Sequence, residues 1–207
     1  MRSPASFISR RQLFLLAGAA ARLAASEPPF WNTKPANEWD LGDIYRLSNK
    51  SPWANPVQAF APARDQGWPP AGRWGGTTPL GDWGPKGVVT WESARPIREA
   101  LKTPLPRMFN NCYVIGVDGI STGGGGYPDY QRSATFLRGK GKVKWSLRAI
   151  VSRELIRNSA VRLFGFPRTF PIDVDMSEVY FEAQFGRWQV QTKFHPRDMI
   201  YKGELAI

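Results

Sequence analysis

The sequence is poor in the residues that most often carry chemistry. Its 207 residues include one cysteine, Cys112, and one histidine, His195. A single cysteine excludes an intrachain disulfide, so a packed core has to stabilise the fold. The apolar residues that follow Cys112 predict a buried thiol in a strand. A histidine-rich metal site is excluded, and a Ser-His-Asp triad would have to use His195.

Long apolar runs are also lacking. The apolar stretch 13–21 is much shorter than the roughly 20 residues that a membrane-spanning helix needs. It lies between the arginine pair Arg10-Arg11 and the small residues 24–26, which is the three-part pattern of an export signal. We therefore expect residues 1–26 to be a signal peptide, with no transmembrane anchor after cleavage.

The arginine pair suggests the class of the signal. Arg10-Arg11 followed by Leu13-Phe14-Leu15 resembles the twin-arginine class of export signals. That resemblance implies export in a folded state. An ordinary secretory signal that carries two arginines is the alternative. Under both interpretations the mature protein is periplasmic or secreted.

The mature chain carries a second resemblance. Four of its stretches resemble a group of uncharacterised exported bacterial proteins: Ser51-Pro52-Trp53-Ala54, Val89-Thr90-Trp91-Glu92-Ser93-Ala94, Phe166-Pro167-Arg168 and Asp198-Met199-Ile200-Tyr201-Lys202-Gly203-Glu204-Leu205. The resemblance agrees with export. The resemblance implies no activity for these residues, because the group has no established activity.

Acidic residues are the minority charge. The sequence has 17 aspartates and glutamates against 28 lysines and arginines, for a formal net charge of +11 at pH 7. The leader contains four arginines and no acid, so its removal lowers the charge to +7. A basic surface favours anionic partners such as acidic glycans or phospholipid headgroups. Nucleic acid is not expected as a partner outside the cytoplasm.

Composition divides the chain into four segments, which are 1–26, 27–57, 58–87 and 88–207. The second segment contains a short predicted helix that begins at the N-cap Asn37 and carries Leu41, Ile44, Tyr45 and Ser48 on one face. The third is a Gly/Pro/Trp-rich irregular segment, since twelve of its residues are glycine or proline. The fourth is predicted as a β-rich domain.

Alternation of apolar and polar residues predicts a mainly β fold. Its clearest instance is a hairpin in which residues 179–185 and 188–194 alternate around a turn at Gly186-Arg187. Further strands are predicted at 88–91, 112–117, 133–137, 142–147 and 199–207. Residues 147–155 fit a helix or a strand, and periodicity does not decide between them. The expected fold is an antiparallel β-sandwich or a β-rich α+β domain.

Four residues are candidates for catalysis or metal binding. Asp173, Asp175 and Glu178 form the densest carboxylate cluster, and carboxylate oxygens are the ligands that calcium prefers. The spacing lacks the glycine and the later glutamate of a calcium loop, so a solvated turn is favoured and no cofactor is predicted. Together with His195, these carboxylates would serve as acid and base in a hydrolase, which is the alternative to a non-catalytic function.

Basic residues suggest a binding surface. Arg138, Lys140, Lys142 and Lys144 recur at a spacing of two, which points their side chains the same way in an extended chain. This ridge would contact an anionic polymer or headgroup. Alternatively, its lysines would protect an exposed strand from edge-to-edge aggregation.

The nine tryptophans divide into two groups. Those in predicted strands are assigned to the core: Trp91, Trp145 and Trp188. Trp68, Trp74 and Trp83 fall in the irregular segment, where they would stack on sugar rings or dock on the domain. The favoured function is therefore non-catalytic binding of a glycan or anionic polymer, with a structural role in an envelope complex as a further alternative.

Overall fold

A computed structural model describes residues 28–61, 83–120, 129–139, 141, 143–154 and 160–207. The strands are β1 (Ala54–Phe60), β2 (Trp83–Trp91), β3 (Cys112–Asp118), β4 (Phe136–Arg138), β5 (Lys144–Ser146), β6 (Ala149–Glu154), β7 (Ala160–Pro167), β8 (Val179–Phe185), β9 (Trp188–Phe194), β10 (Ile200–Tyr201) and β11 (Glu204–Leu205). The α-helices are α1 (Phe30–Thr33), α2 (Leu41–Asn49), α3 (Arg95–Leu101) and α4 (Asp129–Ser133). The prediction of a mainly β fold with a short N-terminal helix is confirmed. Within these residues, no helix has the length and apolarity to cross a bilayer.

Nine strands form one antiparallel sheet in the order β5-β4-β8-β9-β1-β2-β3-β7-β6. The sheet curls until the chain itself joins its two edges. β5 and β6 lie at opposite edges, yet only Leu147 and Arg148 separate them in sequence. The backbone N–H of Arg148 donates to the carbonyl of Gly165 on β7 at 2.9 Å. A β-sandwich packs two separate sheets against each other. In this protein, the two packed walls are the two halves of one curled sheet.

The main core lies inside this curl. Four alternate residues of β8 are buried in it: Val179, Phe181, Ala183 and Phe185. The ring of Phe164, on β7 in the opposite wall, lies 5.7 Å from the rings of both Phe181 and Phe185. Burying a phenylalanine side chain contributes about 1.5–3 kcal/mol, so these rings hold the two walls together.

The loop 168–178 makes hydrogen bonds to two residues of the core. The carbonyl of Phe170 accepts hydrogen bonds from Trp145 Nε1 at 3.1 Å and from the Tyr113 hydroxyl at 3.3 Å. The backbone N–H of Ile172 donates to the same hydroxyl at 3.0 Å. The loop thus satisfies the polar ends of two rings whose bodies are buried.

Helix α2 begins one turn later than predicted. The N-cap is Asp40, whose side chain accepts from the backbone N–H of Asp43 at 2.8 Å, while Asp43 accepts from Asp40 in return. Asn37, the predicted N-cap, lies in the preceding 3-10 turn Ala36–Glu38. Asp43 also accepts from Lys34 at 2.7 Å, and this hydrogen bond is the first cause of its lowered pKa.

The predicted apolar face of this helix is only partly correct, because Ile44 packs against the core whereas two other members of the face do not. Leu41 is 85% exposed and Tyr45 is 61% exposed, whereas Leu47 and Asp43 are buried. A carboxylate occupies the buried face because two cations and the helix N-terminus satisfy it. Apolar periodicity alone does not reveal such a buried charge.

A second, smaller core lies against β3, β6 and β7. It consists of Phe109, Cys112, Val114, Ala149, Val161 and Leu163. The predicted burial of the Cys112 thiol is confirmed, at 4% exposure. Phe109 lies directly above Gly165, where a Cβ would come within 2.5 Å of its ring, so the glycine makes room for the aromatic side chain.

Two predicted strands differ from the structure, and the structure also assigns the stretch that was left open between helix and strand. The predicted strand 133–137 begins too early, because residues up to Ser133 are helical and β4 starts at Phe136. The predicted last strand is a small hairpin of β10 and β11, reversed by the positive φ angles of Lys202 and Gly203. The ambiguous stretch 147–155 is largely strand, since β6 pairs with β7 along its length.

Strands also extend into the Gly/Pro/Trp-rich segment from both ends. β1 continues to Phe60 and β2 begins at Trp83, and these two residues are partners in the antiparallel pair. Within the predicted irregular segment 58–87, regular structure therefore covers residues 58–60 and 83–87. The intervening residues 62–82 lie outside the described part of the chain.

Candidate functional site

The predicted basic ridge becomes a pair of cations on two strands. β4 and β5 form a hairpin in which Arg138 is the direct partner of Lys144. Both side chains are exposed, and their neighbours Leu137 and Trp145 point into the core. The other two ridge residues, Lys140 and Lys142, lie outside the described residues.

The pair extends across two further strands. Tyr180 on β8 is the partner of Arg138, and Lys193 on β9 is the partner of Tyr180. Lys144, Arg138, Tyr180 and Lys193 therefore form one line across four strands, which we call the basic row. Adjacent strands lie about 4.8 Å apart, so the row spans roughly 14 Å of the sheet's outer face.

Aromatic rings support the two leading cations. Lys144 Nζ lies 3.9 Å from the ring centroid of Phe136, and the guanidinium carbon of Arg138 lies 5.1 Å from that of Tyr180. Cation–π contacts of this kind contribute about 0.5–1 kcal/mol at exposed sites. They hold the cations near the surface without neutralising their charge.

Only the far end of the row is neutralised. Glu178 accepts from Lys193 Nζ at 2.9 Å and from the Tyr180 hydroxyl. These two hydrogen bonds, that of Tyr180 first, lower the pKa of Glu178 below its ordinary value. By contrast, no carboxylate in the described part of the chain lies within ion-pair distance of Arg138 or Lys144.

A second line of side chains runs beside the basic row. It consists of Ser146, Phe136, Glu182 and Gln191, which are partners on the same four strands. Gln189 donates a hydrogen bond to Glu182. The outer face thus combines cations, polar acceptors and two aromatic rings.

The four predicted catalytic candidates are only partly brought together. His195 Nδ1 lies 4.0 Å from a Glu178 oxygen and 3.3 Å from the carbonyl of Ser177. Asp173, however, accepts the backbone N–H groups of Asp175 and Met176, both at 3.0 Å. This is the solvated turn that the sequence favoured. Among the described residues, no group of three or more possible ligands is placed to hold a metal ion.

The tryptophans of the irregular segment do not contribute to the described site. Trp68 and Trp74 lie outside the described residues, as does the side chain of Trp83. Trp91 and Trp145 are core residues as predicted, with exposures of 0% and 1%, whereas Trp188 is only partly buried and packs against the core.

The sequence interpretation missed Tyr180 and Lys193. The signal was present, because a hairpin that turns at Gly186-Arg187 fixes the partner of every residue on both strands. Counting outward from that turn pairs Tyr180 with Lys193. What the pattern does not show is that β4 adds to the outside of this hairpin and places Arg138 beside Tyr180.

A buried ion pair was also missed. Glu92, 4% exposed, lies over Gly116 and accepts from Arg153 Nη2 at 3.2 Å. Burial raises the pKa of Glu92 despite its arginine partner. Nε and Nη1 of Arg153 and Nη1 of Arg98 are buried without a hydrogen-bond partner among the described residues. We assign this pair to the structure of the domain, since it lies inside the packing and not on an open face.

Comparison with protein-family models, with curated proteins and with solved structures finds no match to this chain. The site itself therefore carries the functional argument.

Proposed function

We propose that this protein is an exported, non-catalytic domain that binds an anionic polymer, most specifically an acidic glycan, through the basic row. The observation that carries the proposal is the placement of Arg138 directly opposite Lys144, with no carboxylate partner among the residues that the structure describes. Like charges opposite each other on neighbouring strands destabilise a sheet. An anionic ligand that lies on the row removes this repulsion.

Protection of a strand edge does not explain both cations. β5 is at the edge of the sheet, so Lys144 fits that role. β4, however, has a partner strand on each side, so Arg138 protects no edge. A ligand-binding role accounts for both residues.

A hydrolase is less well supported by this geometry. Glu178 is held by Tyr180 and Lys193, and its lowered pKa leaves it ionised at neutral pH, which does not suit a general acid. Asp173 is held by its own turn. The proposal therefore assigns no catalytic residue.

Binding is tested with hyaluronan and with neutral dextran by isothermal titration calorimetry at low ionic strength. We expect hyaluronan to bind and dextran not to bind. R138Q/K144Q should weaken hyaluronan binding about tenfold, because each exposed charge contact contributes up to about 1 kcal/mol. The same substitutions at two exposed cations elsewhere, K50Q/R107Q, provide the charge-matched control. Equal weakening by both pairs, or equal binding of dextran, would contradict the proposal.

Export is proposed on the strength of Arg10-Arg11 and the apolar stretch behind them. Cell fractionation of a bacterial host that expresses the full chain tests it. R10K/R11K should retain the protein in the cytoplasm, because the twin-arginine receptor reads the arginine pair itself. Unchanged export of this variant would instead identify an ordinary secretory signal, and wild-type protein in the cytoplasm would contradict export altogether.

A further inference from the structure

His195 lies beside the end of the basic row. It directly follows β9, and its side chain is 43% exposed. Val179 and Phe194 are partners at the end of the β8–β9 pair, so the next residues outward, Glu178 and His195, lie side by side. Because Phe194 is buried in the core, the alternation of side chains along an extended chain places His195 on the outer face, as it places Lys193.

Two basic side chains approach the same atom of Glu178. Lys193 Nζ lies 2.9 Å from Glu178 Oε1, and His195 Nδ1 lies 4.0 Å from it. At 4.0 Å a neutral imidazole makes no hydrogen bond to the carboxylate, whereas a protonated imidazole at that distance forms an ion pair with it. The charge of His195 therefore decides how far Glu178 is neutralised.

The charged groups around His195 come from β8, β9, the loop 168–178 and the 3-10 turn Pro196–Asp198. In the described structure, these elements carry Glu178, Tyr180, Lys193, Asp173, Asp175, Arg197 and Asp198. On the other side of β9, β1 contributes the uncharged Asn55, which donates to the carbonyl of Lys193 at 2.9 Å.

Histidine is the side chain whose charge normally changes between pH 5 and pH 8. The hydrogen bonds that Tyr180 and Lys193 make to Glu178 lower the pKa of Glu178 and raise the pKa of each donor. These three residues therefore keep their charge over that range. A change of charge at His195 acts on a row whose other charges are fixed.

Protonation of His195 makes the row more positive. With a neutral imidazole, the row and Glu178 together carry three cations and one carboxylate. A protonated imidazole adds a fourth cation and neutralises the carboxylate that repels an anion. The positive surface then extends from Arg138 and Lys144 to the β9 end of the row.

We propose that protonation of His195 strengthens the binding of the anionic polymer to the basic row, so that the protein binds more tightly at mildly acidic pH than at mildly alkaline pH. This inference rests on the proposed function and adds a regulation of the same site.

The test measures binding of dextran sulfate, a glycan whose sulfate groups stay ionised throughout, by isothermal titration calorimetry at low ionic strength and at about pH 5.5 and about pH 8.0. The wild type is compared with H195Q, which is permanently neutral at this position, and with H195R, which is permanently charged. Thermal melting of each variant shows that it is folded. Because burial raises the pKa of Glu92, that residue is kept in all three proteins, so any pH effect from it persists in H195Q.

The wild type should bind dextran sulfate about fivefold more tightly at the lower pH, which is the size of one exposed charge contact. H195Q should bind at both pH values as the wild type does at the higher one, and H195R as the wild type does at the lower one. Because protonation and binding are coupled reciprocally, the wild type should also take up protons on binding at about pH 6.5, whereas H195Q should not. Titrations in two buffers of different ionisation enthalpy measure this uptake.

The possible failures separate the two proposals. If the wild type binds equally at both pH values, or if H195Q shows the same change as the wild type, the inference about His195 is wrong. The proposed function would still stand if R138Q/K144Q binds dextran sulfate more weakly than K50Q/R107Q at the higher pH. If those two double variants bind equally, the proposed function itself fails.

Discussion

Arg138 and Lys144 lie directly opposite each other on neighbouring strands, exposed and without a carboxylate partner among the described residues, and each lies over an aromatic ring. Their repulsion and their ring contacts oppose each other in the free energy of folding. Salt distinguishes the two terms, because it screens charge repulsion between exposed groups and leaves close ring contacts largely intact.

We therefore predict that added salt increases the free energy of unfolding of the wild type more than that of K144Q. At low salt, the two proteins should differ by less than about 1 kcal/mol in the free energy of unfolding, because the lost ring contact offsets the relieved repulsion. Raising the ionic strength should increase the wild type's stability more than that of K144Q. Urea unfolding at several salt concentrations measures this difference. K50Q is the control, and an identical salt dependence of K144Q and the wild type would argue against repulsion.

The buried pair of Glu92 and Arg153 gives a second prediction. R153M should destabilise the fold by about 3 kcal/mol at pH 7, because it leaves a buried carboxylate without its partner. E92M/R153M should recover most of that loss, since apolar residues often replace a buried ion pair at little cost. Urea unfolding of both variants measures the two effects. If the double variant is no more stable than R153M, the unpartnered carboxylate is not the cause of the destabilisation.

The raised pKa of Glu92 predicts a pH dependence of stability. Because the folded state favours the protonated carboxyl, this residue's contribution is complete below its ordinary pKa of 4.5 and is lost as the pH rises through the raised value. The wild type should therefore lose stability relative to E92Q as the pH increases from 4.5 towards neutral. Unfolding midpoints of both proteins across that range provide the measurement. If the stability difference between the two proteins stays constant with pH, the pKa of Glu92 is not raised by burial.

The start of helix α2 can be tested by two matched substitutions. D40A should cost about 1 kcal/mol, because Asp40 caps the helix through the backbone N–H of Asp43. N37A should cost much less, since Asn37 lies in the 3-10 turn and makes no cap to α2. Chemical unfolding followed by circular dichroism compares the two. A larger loss of stability in N37A than in D40A would support Asn37 as the N-cap, as the sequence suggested.

The sequence pattern predicted correctly the features that depend on residues close together in the chain. The alternation of residues 179–185 and 188–194 and the turn at Gly186-Arg187 defined a hairpin with the observed register. The spacing of two from Arg138 to Lys144 instead predicted one extended ridge, whereas the structure places these two residues opposite each other on two strands of a hairpin. The joining of β4 to β8 depends on contacts between residues more than 40 positions apart, and periodicity carries no signal for it.

Buried charge was the other source of error. Leu41 and Tyr45 were placed on the packed face of α2 because apolar residues are usually buried, yet Asp43 is buried and both of them are exposed. Asp43 is satisfied by Lys34 and Arg46, which lie outside the apolar pattern. Glu92 was overlooked for the same reason, since its partner Arg153 lies on a distant strand.

The location of the bound glycan tests the central claim most directly. Amide chemical shifts recorded by NMR during titration with hyaluronan oligosaccharides would show it residue by residue. The basic-row proposal predicts saturable shifts confined to β4, β5, β8 and β9, strongest near Arg138, Lys144 and Tyr180, with helices α2 and α3 unaffected. Shifts centred on those helices, or no saturable shifts at all, would contradict it.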